Sequence, residues 1–292
     1  FCNFSIFCRY TKCCKWFILS FVEKQVLESP FTKKDFLELA YQVSDSLDMR
    51  HDYFGINNSS IVNIGSRDFI DYRPSIIFRD NFLEDNNITN INFDSLHFFQ
   101  IQELVTNVNF DSIKIKKGDI SVNLILPDTY EEYLQNLTKK KRHELNRKKR
   151  KFEEQINSFK LSESKDQSIF NIFISQHRDS KGEKGKFMTD DVESYFKNLL
   201  NMDGWKIYYT DTNKGVLSTA FCYENEHGCY LYNSSRNNEF NSINPGIVIN
   251  DLIIQKLISK KMSFFDFLKG TERYKYDLGG NSVQLYDLMM SI

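Results

Sequence analysis

The sequence predicts an α+β fold, and three observations carry that prediction. Residues 205–233 read as three short strands in succession, separated by turns at Asn213-Lys-Gly215 and Asn225-Glu-His-Gly228. An unbroken apolar helix follows from Ile247 to about Ile258, opened by Asn244-Pro245-Gly246. Ser263-Phe-Phe-Asp-Phe-Leu268 then reads as a further strand, closed by Gly270. A strand meander followed by one helical crossover segregates sheet from helix in the α+β manner. With 292 residues, 41% of them hydrophobic, the chain can bury one large core or two medium ones.

The remaining elements follow in order. The apolar start, Phe1 to Val22, is interrupted by Arg9, Lys12 and Lys15, too often for a spanning helix, and it lacks the small-residue cleavage site of a signal peptide. It opens on Phe rather than Met, which reads as a fragment or a misread start, and no function is assigned to it. Residues Lys33 to Asp48 place Phe36, Leu37, Ala40, Val43 and Leu47 at helical spacing. From Tyr53 to Val122, short apolar pieces such as Ser60–Ile64, Ser75–Phe78 and Leu96–Phe99 lie between Asn- and Asp-rich turns, a mixed α and β pattern. Ile120 to Leu126 alternates and stops at Pro127, as a strand does. Asp128 or Thr129 then caps a long helix whose Leu134, Leu137, Lys141, Leu145, Lys148, Phe152 and Ile156 recur in steps of three and four. A turn at Ser162–Asp166, a helix over 167–178, a Gly-punctuated loop from Ser180 to Met188 and a helix from Thr189 to Leu200 complete the path to Trp205.

Charge and cysteine use narrow the chemistry. Thirty-eight basic residues against 39 acidic ones leave a net charge of -1, so any anion site must be local. Cys2, Cys8, Cys13 and Cys14 crowd the start while Cys222 and Cys229 stand apart, with no ligand spacing for zinc. No metal is required, and a reducing cytoplasm is the expected setting. No Gly-x-Ser-x-Gly elbow supports hydrolase chemistry.

Several residues are candidates for function, each with a plainer alternative. The turn at Asn244-Pro245-Gly246 either reverses the chain or presents free N–H groups to a pyrophosphate or carboxylate, with Gly246 allowing close approach. Asp266, flanked by Phe264, Phe265 and Phe267, either has a raised pKa suited to a base or bonds to the backbone or a cation such as Arg273. Tyr230 and Tyr232 point to one side of their strand, as core packing or with one of them as an acid. His177 is a base or an ordinary helix-face histidine. The run from Lys139 to Lys151 is a solvated face, a nucleic-acid contact or one wall of an anion-binding cleft. Glu272, Tyr274 and Lys275 lie just past a strand, where loops gather function.

Taken together these segments resemble the acetyltransferase core shared by the CelD/BcsL-like proteins and the FemAB peptidyltransferases, within the GNAT superfamily. Tyr230-Leu-Tyr-Asn-Ser-Ser-Arg236, Ser242-Ile-Asn-Pro-Gly-Ile247 and Phe265-Asp-Phe-Leu-Lys-Gly-Thr-Glu-Arg-Tyr-Lys275 with Gly279-Gly280 carry the likeness, supported upstream by the basic helix and by Gln176-His-Arg178. The likeness covers roughly residues 120–280. It implies a GNAT-like fold of two tandem lobes, a degenerate one over 1–120 and an acyltransferase domain over 121–292. It also implies a donor, acetyl-CoA or another acyl-CoA, held at Asn244, Gly246, Ile247 and Val248. Asp266, Tyr232 and His177 are then the catalytic candidates, and Arg142, Glu272, Tyr274 and Lys275 the substrate-binding ones. The turn lacks the fuller Arg- and Gly-rich phosphate loop of many GNAT enzymes, which leaves room for an aminoacyl-tRNA donor or a catalytically silent binding module. The implied acceptor is a small-molecule amine of a sugar or amino-acid derivative, in polysaccharide or envelope biosynthesis, with no stable membrane insertion.

Overall fold

The computed structural model describes residue 23 and residues 25–44, 47–79 and 81–292. The apolar start and its four cysteines, and the end of the helix expected over 33–48, fall wholly or partly outside those residues. The strands are β1 (Met49–Arg50), β2 (Phe54–Asn57), β3 (Ser60–Asn63), β4 (Asn90–Leu96), β5 (Ser112–Ile125), β6 (Phe159–Ser164), β7 (Trp205–Thr212), β8 (Gly215–Glu224), β9 (Gly228–Arg236), β10 (Phe264–Lys269) and β11 (Asn281–Ser291). They form one sheet in the order β1-β2-β3-β4-β11-β5-β10-β9-β8-β7-β6. The helices are α1 (Lys34–Ser44), α2 (Phe82–Asp85), α3 (Phe98–Asn107), α4 (Tyr130–Asn136), α5 (Lys139–Gln155), α6 (Gln167–Arg178), α7 (Glu183–Phe187), α8 (Asp190–Asn201), α9 (Pro245–Ser259) and α10 (Arg273–Asp277). Among the described residues no helix is long and apolar enough to cross a membrane.

One pattern appears twice. Strands β7, β8 and β9 form an antiparallel meander, after which β9 pairs in parallel with β10. Strands β1, β2 and β3 repeat the meander, and β3 pairs in parallel with β4. Each parallel pair is short, from Gly228↔Phe264 to Tyr230↔Asp266 in one half and from Ser60↔Asn90 to Val62↔Asn92 in the other. The crossovers differ. In the second half it is α9, of 15 residues, and in the first it is an irregular path whose helix α2 has 4. Among the described residues the first half has no counterpart of the long helix α9 between its parallel strands.

The two halves also trade strands. β5 follows the first half in sequence yet pairs with β10 of the second, while β11 follows the second and pairs with β4 of the first. β5 and β11 pair with each other from Asn281↔Asn123 to Ser291↔Ser112. The expected division at 120/121 cuts through β5, because the sheet is continuous there.

Side chains alternate across the sheet, so its two faces carry separate cores. Phe221 and Tyr230 face α1, α6 and α8 in a cluster with Phe173, Phe196 and Trp205. Ala220, Cys222, Cys229 and Leu231 face α4, α5 and α9, together with Tyr133, Leu145, Ile253 and Phe265.

Local chemistry explains where the structure departs from the sequence reading. The long helix expected from Asp128 to Ile156 is broken at Leu137–Thr138. Thr129 caps α4 by accepting from Glu132 N–H at 3.1 Å, and Thr138 starts α5 afresh by accepting from Lys141 N–H at 3.4 Å. β6 extends to Ser164, where a turn was expected to begin at Ser162, because its backbone pairs with Thr212 to Ile207 of β7. Residues 75–78 are irregular.

Candidate functional site

A cleft of about 1400 Å³ opens beside the point where β9 and β10 part. Pairing between them ends at Tyr230↔Asp266, so β9 runs on to Arg236 without β10 beside it. The register of β8 and β9 slips at Phe221/Cys222, leaving Tyr232 as an extra residue that bends β9 outward. Beyond this bulge Ser234 and Arg236 reach the cleft, whose other walls are α5, the turn into α9, and α10.

Two contacts fix those walls. Ser218 Oγ on β8 donates to Pro245 O at 3.1 Å, which anchors the start of α9. Deeper in, the fully buried Asp251 of α9 accepts from Lys149 Nζ of α5 and from Tyr130 OH, both at 2.7 Å. A buried carboxylate must be paired in this way, and the pairing lays α5 along α9. Leu145, Phe152 and Ile156 complete the seam, the last two against Ile243 and Val248.

The start of α9 is less open than the sequence suggested. Asn244, in a left-handed conformation, accepts at its carbonyl from the N–H groups of Ile247 at 3.0 Å and Val248 at 3.2 Å. Pro245 has no N–H, so the Gly246 amide is the one left without a partner among the described residues. A Cβ on Gly246 would lie 3.7 Å from Arg236 Cδ, in ordinary contact, so the fold itself tolerates alanine there. That Cβ would occupy space a ligand could otherwise use. One turn further on, Asn250 is 3% exposed and lines the cleft; its Nδ2 donates to Gly246 O at 2.9 Å while its buried Oδ1 has no partner. An orphaned buried acceptor costs about 1–3 kcal/mol unless a donor meets it.

The walls are cationic. Arg142 Nη1 donates to Leu134 O at 3.1 Å, and Arg236 Nε donates to Asn241 Oδ1 at 2.6 Å. Neither has an ion-pair partner among the described residues, and the same holds for Lys139 and Lys140, which also line the cleft. The other two cations are balanced, Lys148 by Glu144 at 3.7 Å and Arg273 by Asp277 at 3.5 Å. Tyr274 presents a hydroxyl with no hydrogen-bond partner among the described residues, and burial raises its pKa above the ordinary tyrosine value.

The sequence-predicted residues therefore divide. Arg142, Asn244, Gly246, Ile247 and Tyr274 meet in the cleft. Val248 does not, because its side chain is 2% exposed in the core and its amide is bonded. Lys275 is also turned away. Its Nζ donates to the carbonyls of Leu268 at 3.2 Å, Gly270 at 3.3 Å and Lys269, and pairs with the exposed Glu272 at 3.0 Å. It caps the end of β10, so it has no donors left for a ligand, and Glu272 faces solvent beside it.

The three catalytic candidates lie elsewhere as well. Asp266 is fully buried, accepting at Oδ2 from Gln25 Nε2 and Tyr72 OH, both 2.6 Å, and at Oδ1 from Leu268 N–H at 2.8 Å. Burial pushes its pKa up to about 7. Its bond to Leu268 supports that residue's left-handed backbone (φ 59) at the bulge ending β10. Tyr232 OH donates to Phe69 O at 2.8 Å and lies 3.1 Å from Tyr195 OH, across the sheet from the cleft. His177 is 1% exposed among Phe173 and Phe187, where burial and then the charge of Lys184 lower its pKa to about 4.

Sequence reading passed over Arg236, Asn241 and Asn250. Asn250 left a visible signal, since Asn250-Asp251 is the one polar pair in the otherwise apolar first three turns of α9.

Residues 139–276, which hold all the cleft-lining residues except Asp277, match the acetyltransferase (GNAT) domain family. Among solved structures, a conserved protein of unknown function from Bacteroides thetaiotaomicron superposes with a TM-score of 0.57 at 11% identity, covering 98% of this chain and 99% of that one. The C-terminal domain (DUF2156) of a putative lysylphosphatidylglycerol synthetase from Agrobacterium fabrum gives 0.53 at 11% identity, covering 88% and 91%. No curated protein matches. The fold is GNAT-like α+β.

Proposed function

We propose that this protein is an N-acyltransferase that holds an acyl-CoA in the cleft beside α9 and passes the acyl group to an amine. The observation that carries this reading is the orphaned Oδ1 of Asn250, buried in the cleft wall one turn from the free Gly246 amide. A donor chain bearing both phosphates and N–H groups answers both. Its phosphates meet the Gly246 amide, the α9 dipole and the unpaired Lys139, Lys140, Arg142 and Arg236, and an amide N–H of its arm meets Asn250. The stretch of β9 beyond Tyr230, released from β10, offers edge backbone to an extended arm and leads the acyl group toward Ser234.

In the chemical step the acceptor nitrogen bonds to the acyl carbon and the carbon–sulfur bond breaks. Tyr274, whose hydroxyl lines the cleft without a partner among the described residues, would protonate the departing thiolate. The ammonium proton leaves to water. The likeness to CelD/BcsL-like and FemAB-like proteins supports, as acceptor, a sugar or amino-acid amine in polysaccharide or envelope biosynthesis.

An aminoacyl-tRNA donor is the second reading. It is favoured by the exposed Lys139 and Lys140 at the cleft mouth. Calorimetric titration with acetyl-CoA, CoA and aminoacylated tRNA separates the two. We expect micromolar CoA binding, weakened about tenfold in Gly246→Ala, which corresponds to about 1.4 kcal/mol. Binding of tRNA with steep salt dependence would transfer the site to the second reading. Failure of both to bind would remove transferase chemistry from this cleft.

A further inference from the structure

The loop between α6 and α8 carries one amine to the edge of the cleft. Its path is fixed by Arg178 Nε donating to Met188 O at 3.0 Å and by Asn238 Nδ2 donating to Asp179 O at 2.7 Å. Gly182 has φ 72, and a Cβ on Gly185 would come within 2.2 Å of Ser180 O, so the loop is closed tightly on itself at α7. From α7, Lys184 extends its Nζ to the main-chain oxygen of Ser234, 2.7 Å away. Ser234 lies on the part of β9 that has left β10, and it lines the cleft.

The electrostatic setting of Lys184 differs from that of the lysines beside it. Lys186 pairs with Glu183 at 2.9 Å, whereas Lys184 has no carboxylate within ion-pair distance among the described residues. The stem is exposed, but the crowding around the amine, and then the like charge of Arg236, lower its pKa to about 8 against the opposing charge of Glu272. At neutral pH such an amine is unprotonated on the order of a hundred times more often than an ordinary lysine. An amine held at Ser234 O, next to the strand that the acyl-CoA reading lays along the donor arm, stands where an acceptor would stand.

We propose that Lys184 is an internal acyl acceptor, modified by the donor bound in the cleft of the same molecule. This rests on the acyl-CoA reading above. The Lys184 nitrogen bonds to the acyl carbon, the carbon–sulfur bond breaks, and the amine proton balances the departing thiolate as free CoA. The product is an amide in place of an ammonium, so the cleft edge loses one positive charge while one N–H remains to meet Ser234 O.

The test is to incubate the full chain with deuterium-labelled acetyl-CoA, map the label by mass spectrometry, and measure CoA binding on the same preparation by calorimetry. Label should enter Lys184 about tenfold faster than Lys181 or Lys186, saturate with acetyl-CoA, and rise with pH to a plateau above about 8. It should vanish at that site in Lys184→Arg and slow in Gly246→Ala. If CoA binds and Lys184 labels no faster than its neighbours, or without saturation, the proposal is overturned while the donor reading stands. If CoA does not bind at all, both fall.

Discussion

Replacing Asp266 with asparagine tests whether the carboxyl at the centre of the sheet is kept neutral by the fold. Asp266 is fully buried, and burial raises its pKa from 3.8 to about 7. The folded state therefore favours the protonated form. This contribution is fully present below the unfolded pKa near 4 and is lost as pH rises through 7, because the folded state must then expel the proton or bury a charge. Three units correspond to about 4 kcal/mol at roughly 1.36 kcal/mol per unit. His97 and His177 act in the opposite sense. Burial lowers their pKa values to about 3 and about 4, so they stabilise the fold above the ordinary histidine value and lose that contribution on acidification. Both histidines are present in wild type and variant, and they cancel in the difference. Asparagine keeps an acceptor for Tyr72 or Leu268 but cannot ionise. Urea unfolding followed by circular dichroism from pH 4 to 8 should thus show Asp266→Asn gaining on wild type by about 4 kcal/mol across that range. Parallel curves would mean that Asp266 ionises without penalty, and the argument from burial would be wrong.

Two further outcomes are expected. Tyr274→Phe removes the free cleft hydroxyl and should lower kcat by about 10²-fold or more with donor affinity unchanged; an equal fall in affinity would make Tyr274 a binding residue instead. Lys275→Met strips three carbonyls of their donor and should cost about 3 kcal/mol in chemical denaturation, while the remaining folded protein binds CoA as before; a selective loss of binding would return Lys275 to the site.

The second half of the fold was legible because each element there follows its own local rules. β7, β8 and β9 alternate between glycine-bearing turns, and α9 begins at a proline and runs apolar. β11 was not legible for a physical reason. Val283 and Leu285 set one alternation, but the register shifts at Gln284/Tyr286 against β5 and at Tyr286/Leu288 against β4, after which Leu288 and Met290 carry the buried face. The first part of β5, with Lys114, Lys116 and Lys117, looks like a surface loop because most of its side chains are exposed on a central strand. At the site, sequence placed the turn and the basic wall together but could not tell which polar side chains were already satisfied. Lys275 and Val248 sit within a few residues of cleft positions and point away, a matter of helix phase and capping that spacing alone does not decide.

The trading of β5 and β11 bears on how the chain is made. β4 has β3 on one side, and its other neighbour, β11, is supplied by residues 281–291. During synthesis, which adds residues in order, the first half must emerge with one flank of its sheet bare and wait for nearly two hundred more residues before that flank is closed. A ribosome stalled anywhere in between would hold out an unprotected strand edge, the kind of surface that chaperones shield and that neighbouring nascent chains can seize.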